Sequence, residues 1–470
     1  MKKLSILLLL SLLCFFQSIA HANPLLNVNL EEQVVYDNFE ASTISYMTTT
    51  GPISCYKSVL FIDSYEKIKL NLPTDEVGYY LKPISSINMS FYYSQEEMYL
   101  EGKSGLKLEK GANLLLFENG FISMGKNFVV YYQLKQAYNK GGWDFSYYGF
   151  YRVYGKFLFS KFSLESGIDN VNLGPGENGL LLSRNIEPYP LVKLQTEDHI
   201  NILGKWDFFF LWGWLLDDRT DHSDPMIFAY RVTWKPSKYI EFGITRTKLL
   251  GGKGSDTNYN RFYEIFTSSY SDSVKSFDYD ARGSYDISVY LPLNKFISII
   301  KIFKIYFQTA GTDILLPFMD EDKRAFQFGI FTSLKRNIIR LEYVDIAKQF
   351  YTQYNYSVEG YSHKGFVLGH PYGSDTKSLQ LKHRFYFFDF LSAQYSIGGY
   401  FLPVSDKSNR MERYFFSVLA DYRIWSLIVN CYFRIDWTTK YDSDSSPIAY
   451  SIVSEDKSMF SMGFSLSWRF

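Results

Sequence analysis

The chain has 470 residues, with Lys+Arg and Asp+Glu balanced at 49 each, and a formal net charge of zero. That balance gives no electrostatic case for nucleic acid or for a polyanion held by bulk charge. Three cysteines in a chain of this size exclude a disulfide scaffold, while 40 Tyr and 41 Phe make it 19% aromatic, a composition that favours strands.

Met1 to Ala22 reads as a secretory signal peptide: Lys2 and Lys3 give the positive start, Leu4 to Phe16 the apolar core, and Ala20-His21-Ala22 the cleavage site. The 13-residue apolar run is too short to span a bilayer. Leu13 stands before Cys14 where a lipoprotein needs a small residue, so Cys55 and Cys431 are the cysteines expected in the exported chain. Beyond the leader the longest apolar stretch, Phe208 to Leu216, is nine residues, so any membrane crossing must be made by strands. Residues 23–84 hold short mixed pieces such as Val34 to Glu40 and Ser64 to Ile68, punctuated by Pro52, Pro73 and Pro83. They are expected to form a small periplasmic segment with short helices, able to plug whatever follows.

Residues 85–470 change to strand-like runs. Strands are expected near 86–99, 107–117, 121–136, 144–154, 156–169, 191–203, 205–215, 225–235 and 238–248, then 282–292, 300–311, 322–333, 336–349, 377–388, 390–402, 412–423, 425–436 and 457–469. Tight joints fall near Tyr154-Gly155, Gly204-Lys205, Pro236-Ser237, Leu334-Lys335, Asp389 and Ile424, and longer polar connections at 170–190, 216–224, 249–281, 312–321, 350–376, 403–411 and 437–456. Short and long alternate, as in a transmembrane antiparallel β-barrel with short periplasmic turns and longer extracellular loops. About 18 strands are expected in this all-β fold, an even number that leaves both barrel ends in the periplasm.

One strand gives a dimension. From Trp425 to Trp437 one face carries Leu427, Val429, Cys431, Phe433 and Ile435, and the other Ser426, Ile428, Asn430, Tyr432, Arg434 and Asp436. At about 3.3 Å per residue and a tilt of about 45°, the two tryptophans stand roughly 28 Å apart along the membrane normal, close to an apolar band of about 25 Å. Cys431 then faces lipid and is not expected to pair with Cys55. Arg231, Glu241, Arg434 and Asp436 are expected inside a polar interior. The last strand alternates Phe460, Met462, Phe464, Leu466, Trp468 and Phe470 with small or polar residues. It resembles the closing strand of bacterial outer-membrane barrels. The resemblance implies that Phe464, Leu466, Trp468 and Phe470 face lipid or are read by the barrel-insertion machinery.

The most distinctive local sequence is Leu173-Gly174-Pro175-Gly176-Glu177-Asn178-Gly179, followed by Ser183-Arg184-Asn185 and Pro188-Tyr189-Pro190. Gly174, Pro175 and Gly176 fix one φ and free two others, so they demand a particular backbone path. No Lys-Ser/Thr follows as in a phosphate loop, and a tight turn at a barrel rim is the plain reading. This stretch resembles the outer-membrane capsule-assembly proteins of the Wzi family. So do Lys205 to Phe209, Leu215 to Arg219, Tyr230 to Pro236, Glu241 to Thr247, Phe277 to Arg282, Tyr306 to Asp313, Leu341-Glu342-Tyr343, Gly360 to Gly365 and Leu368-Gly369-His370. The matches run in order over about 170–385. Thr312 stands where the family usually has an acid. The resemblance implies an 18-stranded barrel with a periplasmic helical plug, located in the bacterial outer membrane with its loops extracellular. It also implies a lectin-like function, in which exported capsular polysaccharide is bound and held at the cell surface.

The loops suit such a ligand. Loop 249–281 presents Tyr259, Tyr263 and Tyr270, and loop 350–376 presents Tyr354, Tyr361, His363 and Tyr372. Flat rings beside hydrogen-bonding groups fit sugars, yet the same rings could pack the loops into the barrel mouth. Asp217, Asp218, Asp221 and Asp224 crowd one loop, but a single acidic cluster fits a solvated rim better than glycoside hydrolysis. His363 and His370 lack the partners of a metal site. A non-enzymatic, cofactor-free monomer that binds capsular polysaccharide or another exopolysaccharide is therefore expected, with a porin for small solutes as the alternative.

Overall fold

A computed structural model of the chain describes residues 50–51 and 79–469, apart from 101–102, 126, 140–141, 145–148, 254–278, 313–320, 353–355, 357–358, 389, 403–410 and 440–456. Eighteen long strands close into one antiparallel barrel. They are β1 (Tyr79–Ser94), β2 (Gly111–Met124), β3 (Phe128–Asn139), β4 (Phe150–Phe159), β5 (Phe162–Asp169) and β6 (Tyr189–Thr196). β7 (Lys205–Trp214), β8 (Met226–Ser237), β9 (Ile240–Leu250), β10 (Tyr279–Leu291), β11 (Ile300–Thr312) and β12 (Arg324–Leu334) follow. The circuit ends with β13 (Asn337–Ile346), β14 (Thr376–Phe388), β15 (Leu391–Leu402), β16 (Met411–Ile424), β17 (Leu427–Thr438) and β18 (Lys457–Arg469).

Each strand obeys a two-residue alternation. On β8, Ile227, Ala229, Arg231, Thr233 and Lys235 are buried in the barrel, while Tyr230, Val232 and Trp234 face outward. Phe91, Met462, Phe464, Trp468 and Phe433 lie exposed on the outer face. Trp206, Trp234 and Phe242 stack in a row across β7, β8 and β9, with ring centroids 5.5 and 5.7 Å apart. An outer belt of this kind, edged by aromatics, is what a membrane-embedded barrel presents to lipid. Closure follows from the same constraint, because an open sheet edge would leave backbone groups without partners in hydrocarbon. β1 and β18 close it in antiparallel register, Phe91 opposite Phe464 and Tyr93 opposite Met462.

Connections alternate as expected. On one rim 125–127, 160–161, 238–239, 335–336, 389–390 and 425–426 are tight, and 197–204 and 292–299 are modest. On the other rim lie 95–110, 170–188, 215–225, 251–278 and 347–375, with shorter links at 140–149, 313–323 and 403–410 and the long link 439–456. The strands after residue 200 start and end within three residues of their expected places. The first six differ more, the sixth ending at Thr196 rather than near residue 203. β1 starts at Tyr79 rather than near Ser86, because Pro83 sits at a register shift between Lys82 and Ser86 instead of ending the strand. β2 runs on to Met124, past the strand end expected near residue 117. Tyr154-Gly155 is not a joint but lies within β4, with the Phe128 ring packed over Gly155, and the chain turns instead after Phe159, where Ser160 takes a positive φ of 53°. Trp425 is likewise in a turn, fully exposed at φ 52°, while Trp437 lies on the outer face of β17. Cys431 is exposed on that face, and Cys55 lies outside the described residues.

Candidate functional site

The expected interior residues are inside: Arg231 and Glu241 are fully buried and Arg434 and Asp436 nearly so. They belong to a system of ion pairs within the wall. Arg231 donates two bonds to the Asp286 carboxylate, at 2.7 and 2.9 Å, and a third to Thr245. Lys156–Glu197 (2.9 Å) and Lys193–Glu165 (2.7 Å) are equally buried. Paired in this way, long charged side chains fill a lumen without leaving a bare charge.

Loop 170–188 leaves the rim and enters the barrel. This corrects the expectation of a rim turn at Gly174-Pro175-Gly176, and the physical reason is close approach to the opposite wall. A Cβ on Gly174 would come within 2.8 Å of the Gln308 side chain, and one on Gly176 would collide with Gln327. The Pro175 carbonyl accepts from Lys304 (3.5 Å), the Asn178 carbonyl from Gln327 (3.2 Å), and the Glu177 amide donates to Glu342 (2.8 Å). Glu342 also accepts from the Tyr306 hydroxyl. The Glu177 carboxylate contacts Lys382 at 2.5 Å and Arg184 at 3.6 Å. Burial alone would raise its pKa, but Lys382, Arg184 and Arg340 hold it down at about 2.

Other loops lock onto this one. Ser104 and Gly105 of loop 95–110 donate backbone bonds to Arg184 (2.8 Å) and Asn185 (2.9 Å). In loop 347–375, Leu368 accepts from the Ser183 amide (2.8 Å), Val367 from the Asn185 side chain (3.2 Å), and the Tyr351 hydroxyl donates to Leu180 (2.7 Å). Asn185 is thus a cross-loop tie. Leu173, Leu180, Leu181, Leu182, Phe350, Tyr356 and Leu368 form one apolar core with inward residues of the upper wall such as Leu211, Ile227, Leu249 and Val344. The backbone of Thr50–Gly51 pairs with Asn172–Leu173, so these two residues join the same assembly.

The sequence-predicted ligand residues divide. Tyr259, Tyr263, Tyr270 and Tyr354, like Phe470, lie outside the described residues. Tyr361 is 1% exposed: its ring stacks on Tyr351, its hydroxyl donates to Thr247 (2.7 Å), and the Arg282 guanidinium lies 4.4 Å from its centroid. His363 is 1% exposed, its Nδ1 3.6 Å from Asp217. Tyr372 stacks on Tyr400 at 4.6 Å and is 4% exposed. All three pack the loop, as a long ordered loop requires.

The acidic loop 215–225 is a clamp. Asp217 accepts from the Lys364 amide (2.5 Å), Arg219 donates to the carbonyls of Ser362 and Gly360 (2.9 and 2.8 Å), and Asp221 pairs with Arg219 at 2.8 Å. Asp224 pairs with Lys253 at 2.7 Å. Against the upward push of burial, the Arg219 contact and the His222 amide bring the Asp221 pKa to about 2.

The expected periplasmic plug at 23–78 lies, except for 50–51, outside the described residues, and the inserted loops occupy only part of the lumen. Between β1–β3 and β14–β18 a cavity of about 320 Å³ remains, capped by Leu100, Leu106 and Tyr372. Sequence reasoning missed this site, although the inward parity of these strands carries its signal in Ser86, Asn88, Ser90, Asn430 and Ser465.

A family model described as "Capsule assembly protein Wzi" matches residues 92–397. No curated protein matches the chain in sequence. Among solved structures, the Escherichia coli outer-membrane protein Wzi, described as involved in group 1 capsule assembly and as a carbohydrate-binding β-barrel, aligns over 96% of this chain and 100% of its own. Its TM-score is 0.68 at 15% identity. OpdQ of Pseudomonas aeruginosa aligns over 83% of this chain and 98% of its own, with a TM-score of 0.48 and 12% identity. The dispersed motifs at 173–179, 306–312, 341–343 and 360–370 meet where the inserted loops contact the wall strands β11 and β13, and the family match spans well over half the sequence: the protein belongs to the capsule assembly protein Wzi family.

Proposed function

We propose that this protein binds exported capsular polysaccharide, or another exopolysaccharide, on its extracellular face and anchors it at the cell surface without catalysis. The observation that carries this reading is the locking of loops 95–110, 170–188, 215–225 and 347–375 into one hydrogen-bonded cap within the barrel mouth. A rigid cap presents its outer contacts already ordered, which lowers the entropy lost when a polymer settles on it. Tyr259, Tyr263, Tyr270 and Tyr354 are the proposed ring contacts, with Tyr361, His363 and Tyr372 holding the loop that carries Tyr354. The clamp role of Asp217, Asp221 and Asp224 supports a binding rather than a hydrolytic protein.

In this reading the long connections are extracellular, residues 23–78 close the periplasmic side, and a monomer sits in lipid. Phe464, Leu466, Trp468 and Phe470 serve the insertion machinery. Deleting the gene should release polysaccharide from the surface into the medium, and restoring it should bring retention back. Unchanged retention would sink the proposal. The porin alternative is favoured by the cavity and is separated in planar bilayers, where a large stable conductance from the purified protein would support it.

A further inference from the structure

The cavity beside the inserted loops has a wall unlike that of an inert void. Six bases line it, Lys103, Arg184, Lys382, Arg384, Arg423 and Arg434, against two acids, Glu177 and Asp421. The nearby acids are shared: Glu177 contacts both Arg184 and Lys382, and Asp436 contacts both Arg434 (2.9 Å) and Arg413 (3.0 Å). Asp421 faces Arg384 at 3.3 Å. Among the described residues the lining therefore carries more bases than acids, in a chain whose net charge is zero. A low-dielectric wall around such an excess concentrates anions.

Between the bases lie neutral hydrogen-bonding groups, among them Asn88, Asn119, Gln133 and Gln380. The side-chain oxygens of Asn178 and Asn430 are buried there and accept no hydrogen bond among the described residues. Aromatic faces complete the lining: Tyr92 meets Tyr432 edge to face at 6.4 Å, with Phe117 and Phe415 beside them. Its volume, about 320 Å³, falls within the range of small-molecule sites.

We propose that this cavity is a second, luminal site that binds a carboxylated saccharide. The basic wall takes its acid groups, the amide side chains of Asn88, Asn119, Gln133 and Gln380 meet its hydroxyls, and the rings lie against its C–H faces. Inorganic anions would use the charge but leave the amides and rings idle, and a neutral sugar would leave the charge unanswered. The site is distinct from the outer surface proposed above and does not depend on it.

The test is titration calorimetry on the full-length protein in detergent, with trigalacturonate as probe and maltotriose as its neutral counterpart. Trigalacturonate should bind, and should weaken as salt rises from about 50 to about 500 mM. Arg423→Gln should weaken it about tenfold, and Ser417→Trp, which places an indole in the cavity, should abolish it. Both variants are checked for heat-modifiable migration, which reports an intact barrel. Equal binding of maltotriose, no binding of trigalacturonate, or undiminished binding by folded Ser417→Trp would each overturn the proposal. Cells carrying Ser417→Trp that still retain surface polysaccharide, while the purified variant has lost trigalacturonate, would support two separate sites.

Discussion

Two halves of one barrel share an exterior and differ within. Around β4–β13 the lumen is filled by inserted loops and by fully paired charges such as Arg231–Asp286 and Lys193–Glu165. Around β14–β18 and β1–β3 the wall carries short polar residues, Ser90, Ser417, Ser465 and Asn430, and space remains. The exterior is uniform because lipid imposes one rule on every strand. The interior follows volume and pairing. Where a loop excludes water, each charge needs a partner, and where the loop stops, hydroxyls and amides can meet water or a ligand.

The comparison breaks most sharply at Arg231. Arg231→Ala should leave the buried Asp286 carboxylate uncompensated and cost about 3–5 kcal/mol, read from urea unfolding in detergent. The double replacement Arg231→Met with Asp286→Leu should recover most of that loss, since an apolar pair of similar volume carries no desolvation penalty. If the single variant unfolded like the wild type, the filled half would not depend on pairing.

A second feature is the acid sensitivity of the cap. Burial lowers His370 to a pKa of about 3 and lowers His363 in the same direction, against the opposing fields of Glu177 and Asp217. A group whose folded pKa is depressed gives its full stability above its unfolded value, about 6.5 for His, and loses it as pH falls toward the folded value. Asp221, at about 2, gives its full stability above its unfolded value of about 4 and loses it only as pH falls below that. Between these limits His370 should cost the closed cap about 2–3 kcal/mol at about pH 4.5. Hydrogen exchange over 347–375, corrected for intrinsic rates, should accelerate there relative to the strands, and His370→Asn should reduce the effect. Equal acceleration across β14–β18 would show global loosening instead.

Gly176→Val probes the boundary between the halves. Its side chain would collide with Gln327 and push the loop tip off β12, at about 2 kcal/mol for an overpacked contact. The displaced loop should join the two halves, so bilayer conductance should rise above the wild-type level. Unchanged conductance would place the seal elsewhere.

The exterior was legible in the sequence and the interior only in part. Phe464, Trp468 and Phe433 fall outward by simple alternation, because lipid reads one residue in two. The early strands slipped because Pro83 and Gly155 resemble punctuation. In three dimensions the first sits at a bulge and the second lies beneath a neighbouring ring. Gly174 and Gly176 were recognisable as demanding, yet their reasons, Gln308 and Gln327, stand more than a hundred residues away. The family-like runs around Gln308, Glu342 and His370 carried that information without its geometry. The tyrosines of loop 347–375 could not be assigned from composition, since a ring that packs a loop and a ring that meets a sugar look alike until burial is known.

The smallest expected effects compare one hydroxyl on each side. Tyr361→Phe removes the donor to Thr247 inside the filled half and should cost about 1 kcal/mol, because no water can replace it. Ser465→Ala removes a hydroxyl that accepts from Asn430 at 3.1 Å beside the cavity, and should cost less than about 0.5 kcal/mol. Urea midpoints of the two variants, measured side by side, give the difference directly. If Ser465→Ala proved the costlier, the open half would be held by its polar ladder rather than merely lined by it. Its residues would then be structural before they were available to any ligand.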